Sequence, residues 1–158
     1  MKKIYVKKEY IIFVMYNLIL LISFFIANKY NLTTKIKRYV LFETQIFSFK
    51  DLLSISITIL TIAFGAILTI STVLISMCDR RLMKLLNDFN RSSYVIRRIK
   101  KSILQGLIVI LLYSIVYAQL DYRVYIGRIL ILYIASFLLL LFLYNSKILV
   151  GIIISLLS

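Results

Sequence analysis

The chain contains no histidine, no proline and no tryptophan, and its 158 residues include a single cysteine. Without histidine, the commonest general base and metal ligand is missing. Without proline, no helix carries a proline kink. Cys78 stands alone, so an intrachain disulfide is excluded. It reads most simply as a small apolar residue at a membrane interface, with palmitoylation as the other use of a cysteine in that position. Acidic residues are scarce, six against twenty Lys and Arg, which leaves a net charge of +14. No acid lies within an apolar run. The sequence has no Ser/His/Asp set, no metal-binding cluster, no glycine-rich phosphate loop and no paired carboxylates inside an apolar run. These absences point away from an enzyme and call for no cofactor or metal. The missing intramembrane charge also argues against a proton-coupled transporter. A passive pore stays open, because hydroxyls and backbone groups can line one.

What the chain has in abundance is apolar sequence. Hydrophobic residues make up 62% and charged residues 16%, whereas a soluble domain is nearer half apolar and a quarter charged. The charges cluster between long apolar runs. A hydrocarbon core of about 30 Å takes about 20 apolar residues in a helix, which predicts an all-α, polytopic membrane protein with four transmembrane helices in one bundle over residues 1–158. The expected spans are 10–27, 52–78, 102–120 and 125–144. The first follows Lys2, Lys3, Lys7 and Lys8 and lacks a small-residue cleavage pattern, so it reads as an uncleaved helix rather than a signal peptide. Asn17 is the one amide near its centre, best used in a hydrogen bond to a neighbouring helix. The loop 28–50 is too short and polar to span. It forms either an amphipathic interfacial segment or a small hairpin, lying as a lid over the bundle. The tail 148–158 is apolar but too short to cross, and it either continues the fourth helix or lies along the inner leaflet.

The second span carries the clearest pattern. Ser54, Thr58, Thr61, Gly65, Thr69, Thr72 and Ser76 recur at steps of four, three, four, four, three and four, so all seven share one helical face. Two uses fit: close packing of helices or copies, in which small residues let backbones approach and hydroxyls bond across the seam, or a narrow pore wetted by the hydroxyls. Both fit a homo-oligomer. Past residue 78, Leu82, Leu85, Leu86 and Phe89 fall at i, i+3, i+4 and i+7. The second helix is therefore expected to extend into the cytoplasm as an amphipathic continuation to residue 89.

Around that extension lie Arg80, Arg81, Lys84, Arg91, Arg97, Arg98, Lys100 and Lys101. They serve either to fix topology and bind anionic lipid or to dock an acidic cytoplasmic protein. Direct nucleic-acid binding is not expected, because no nucleic-acid fold fits in the loops. With both termini cytoplasmic, thirteen basic residues fall inside and seven outside, the arrangement that the positive-inside rule favours. The five basic residues of the first loop fit the outside poorly.

The run from Leu60 to Leu86, with Ala63-Phe64-Gly65 and Asp79-Arg80-Arg81, followed by the basic turn up to Lys101, resembles in architecture the small four-helix membrane subunits of bacterial anti-phage defence systems, such as the KwaA-like component of Kiwa. The resemblance implies an oligomer in the bacterial inner membrane that senses membrane disturbance and works with a cytoplasmic effector. Two other classes stay open: a bacteriocin immunity protein, which has similar size and charge, and a holin-like pore former, which the length and four spans fit less well.

Overall fold

The computed structural model describes residues 2–43, 48–77, 92–120 and 124–157. All regular structure among them is helical: α1 (Lys2–Lys29), α2 (Thr33–Val40), α3 (Phe49–Met77), α4 (Ser92–Tyr117) and α5 (Tyr125–Leu157). Four helices are long and apolar enough to cross a membrane, over Lys8–Lys29, Phe49–Val73, Ile96–Tyr117 and Tyr125–Gly151. The all-α class and the four spans expected from hydropathy are therefore present. The expected extension of the second helix to residue 89 falls outside the described residues, as do Cys78, Arg80, Arg81, Lys84 and Arg91.

Local chemistry sets the helix ends. Ser48 caps α3: its Oγ accepts the backbone N–H of Lys50 at 3.1 Å, one of the donors that a helix N-terminus leaves unpaired. Asp51 adds an acid to that first turn, where the helix dipole favours negative charge. Three helices close with the same C-terminal hydrogen-bond pattern. At the end of α1, Leu32 N–H reaches Ala27 O at 2.8 Å; after α2, Glu43 N–H reaches Arg38 O at 3.0 Å; after α4, Leu120 N–H reaches Ile115 O at 3.1 Å. This closure needs one residue at positive φ, a place glycine usually fills. Here Asn31 (φ 51°), Phe42 (φ 65°) and Gln119 (φ 58°) take it.

The helices pack as neighbours in the order α3, α4, α5, α1, each antiparallel to the next. The most extensive packing joins α4 to α5, then α3 to α4; a thinner seam holds α1 to α5. On α3, Leu53, Leu60 and Ile67 are buried at steps of seven and join Val109, Tyr113 and Val116 of α4 and Ala135 and Phe142 of α5 in one apolar core. In lipid this core gains little from the hydrophobic effect, so contact quality decides its stability. Gly106 shows how tight the contact is. A Cβ there would lie 2.8 Å from both Phe142 Cε2 and Phe64 Cδ2, so α3, α4 and α5 meet where any larger residue forces one or both rings to shift.

In the loop 28–50 the described residues include the helix α2 and no strand; residues 44–47, in the half read as an interfacial segment or a hairpin, lie outside the described residues. The tail resolves as helix. α5 runs unbroken for 33 residues, about 50 Å at 1.5 Å per residue, so 148–157 continue the fourth helix.

Candidate functional site

Most polar side chains that the helices bury collect in two layers at opposite ends of the apolar core. Arg128 and Asn145 mark the two layers on α5. Seventeen residues separate them, about 26 Å along a helix, close to the thickness of a hydrocarbon core.

The layer near Asn145 draws on three helices. Arg98, Ser102 and Gln105 fall at i, i+4 and i+7 on α4, one face, and all three are buried. Asn145 is fully buried and accepts a hydrogen bond from Arg98 Nη1 through Oδ1. Its Nδ2 donates to Gln105 Oε1 at 2.7 Å. Ser102 and Ser146 hydroxyls meet at 3.2 Å. From α1, Glu9 enters with Oε1 2.5 Å from Lys101 Nζ and 3.8 Å from Arg98 Nη1. The Arg98 guanidinium also lies 6.0 Å from the Tyr144 ring centroid, at the outer reach of a cation–π contact. Among the described residues, the cluster sets two cations against the one carboxylate of Glu9. Its chemistry is that of a fixed charge and amide network tying three helices together. No three His, Cys, Asp or Glu side chains gather to hold a metal among the described residues.

About two turns further along α1 lies a second seam. Tyr16 is buried; its hydroxyl donates to the Tyr133 carbonyl at 3.0 Å and sits 2.5 Å from Ser136 Oγ. Tyr133 in turn donates to Asn17 Oδ1 at 2.9 Å, so Asn17 makes the interhelical bond expected of it. Phe13 packs edge-on to Phe137 with centroids 5.3 Å apart.

The opposite layer is built around Arg128, which is fully buried. Its Nη1 donates to Val40 O at 2.8 Å and its Cζ lies 4.4 Å from the Phe42 ring centroid. Val40 is the last residue of α2, so the guanidinium caps a carbonyl left open by the helix and sits at the negative end of its dipole. Phe42 stacks on Phe49 at 5.9 Å, Lys37 lies over Tyr125 at 5.6 Å and Lys50 over Tyr117 at 5.1 Å. Two of the five first-loop cations that fit the outside poorly, Lys37 and Lys50, thus have partners within the chain, as does Arg128.

Family models, characterised proteins and solved structures give no match to this chain.

Of the stripe residues, Ser54, Thr58, Thr61, Gly65, Thr69 and Thr72 all lie exposed on α3, turned away from the chain's own core. Ser76 belongs to the helix, but its side chain lies outside the described residues. Thr58, Thr61, Thr69 and Thr72 donate to the carbonyls of Ser54, Ile57, Gly65 and Leu68, four residues back, at 2.8–3.0 Å. Among the basic residues, Arg97 and Lys100 are exposed and Lys101 is half-buried against Glu9. Arg98 departs from the expected docking surface: it is 5% exposed and points between α1, α4 and α5. The reason is its register with Ser102 and Gln105, which puts it on the inward face. The roles of Glu9, Tyr16, Gln105, Arg128 and Tyr133 escaped the sequence reading. Arg98-x3-Ser102-x2-Gln105 was the available signal, a polar face of helical period entering an apolar span.

Proposed function

We propose that the chain is an oligomeric inner-membrane subunit, the membrane sensor or scaffold of a bacterial anti-phage defence system that works with a cytoplasmic effector. The observation that carries the oligomeric part is the outward position of the α3 hydroxyl face. The chain's own core uses Leu53, Leu60, Ile67 and Ser71 of this helix and leaves Thr58, Thr61, Gly65 and Thr69 outside. A Cβ on Gly65 would meet nothing within 4 Å, so the fold of a single chain does not call for glycine there, while close approach of a second helix does. The back-bonded threonines satisfy their own protons and favour a dry seam over a water-lined pore. The effector would meet the end that carries Arg97 and Lys100.

The test pairs assembly with protection. In native mass spectrometry from detergent the parent chain is expected to give a defined oligomer, and Gly65→Leu with Thr61→Leu to shift it to monomer. In phage challenge, cells carrying the chain with its neighbouring genes are expected to survive and cells carrying the double variant to be lysed. A monomeric parent would refute the assembly. A parent that assembles without protecting the cells would refute the defence role alone.

A further inference from the structure

From the basic outer face of α2, we infer that the end of the molecule opposite Arg98 binds the headgroups of anionic phospholipids in its own leaflet. This site is separate from the Arg97–Lys101 end. Its position comes first. α1 ends at Lys29 and α3 begins at Phe49, so α2 lies where both spans leave the hydrocarbon. Its charge comes second. Residues 28–43 hold Lys29, Lys35, Lys37 and Arg38 against one acid, Glu43. Lys35 and Arg38, at i and i+3, share one exposed face, and among the described residues every ion pair involves Glu9. Its apolar side chains come third. Tyr30, Leu32 and Ile36 stand exposed beside the cations, the mixture that seats an amphipathic helix between headgroups and acyl chains. The helix is also held ready. Arg128 grips its last carbonyl, Lys37 rests on Tyr125 and Tyr39 packs on Phe49 with centroids 5.4 Å apart. Little ordering remains to oppose binding.

The test uses the full chain with a solvatochromic dye on Thr34→Cys, an exposed α2 position, in a Cys78→Ser background. Micelles of neutral detergent are titrated with phosphatidylglycerol or phosphatidylcholine. Phosphatidylglycerol is expected to give a saturable emission change that salt weakens, and phosphatidylcholine none. Two cations near a membrane surface contribute about 1 kcal/mol each, so Lys35→Gln with Arg38→Gln is expected to raise the midpoint tenfold or more. Arg97→Gln with Lys100→Gln, at the other end, is expected to leave it unchanged. The inference is overturned by equal responses to the two lipids, by an unmoved midpoint in the α2 variant, or by a shifted midpoint in the Arg97/Lys100 variant. A full response to glycerol phosphate in solution overturns it as well, and would mark a site for a soluble anion.

Discussion

Two arginines at opposite ends of α5's span illustrate how a single side chain holds helices together in lipid. Arg128 is a charge with 0% exposure, and the Val40 carbonyl and the Phe42 ring are among the groups that replace its water. Phe42 accepts a left-handed backbone, unusual for a bulky residue, and its ring lies on the guanidinium and on Phe49. Removing the guanidinium takes away the donor to the Val40 carbonyl at the end of α2. Arg128→Gln is expected to destabilise the fold by about 1–3 kcal/mol, as for hydrogen bonds to charged groups. Thermal unfolding in detergent measures the loss, and hydrogen exchange should place it in residues 33–42. An exchange pattern there identical to the parent's would contradict the capping role. Arg98 shows what sequence conceals at this scale. A basic cluster at the start of a span looks alike whether its members face lipid, a partner or the interior. Arg97 and Lys100 point out and Arg98 points in, and only the periodicity of its polar neighbours on α4 carries that difference.

At the scale of helices, hydropathy made the four spans legible because lipid imposes a compositional rule that few sequences meet by accident. The hydroxyl face of α3 was legible as a face, since its spacing is a property of the helix alone. Where α5 ends was not. Asn145-Ser146-Lys147 interrupts an apolar run as a loop would, yet Asn145 is an interior amide bonded to Gln105, and the helix passes through it. Polar residues within an apolar run mark either an end or an interhelical bond, and the choice depends on a partner far away in the chain. The three-helix contact at Gly106 depends on such partners too. Gly106→Ala is expected to cost about 1–3 kcal/mol, the range for overpacking a tight core, because Phe64, Phe142 or both must retreat. Thermal unfolding in detergent measures it. Gly151→Ala, where a Cβ would meet nothing within 4 Å, serves as the matched control; equal losses in the two variants would show that the contact at Gly106 is not tight.

For the whole molecule, the order α3, α4, α5, α1 places the most extensive packing in the second half of the chain. The first half contributes two spanning helices, α1 and α3, that lean on that pair and scarcely on each other. A ribosome delivers these helices in the reverse of their dependence: α1 and α3 reach the bilayer before α4 or α5 exists. Each must therefore wait alone among lipid tails. Ser23 donating to Ile19 O at 2.9 Å, Asn17 to Phe13 O at 2.8 Å and the threonines of α3 to their own carbonyls let them do so, since unpaired polar groups in hydrocarbon cost several kcal/mol. A chain stopped after residue 77 is expected to insert both helices as efficiently as the full protein, read by glycosylation mapping in microsomes. Failure of the second helix to insert until residues 92–157 are made would show that it depends on its later partners. The bonds that each early helix makes to itself thus serve the period of synthesis, before there is a fold to join.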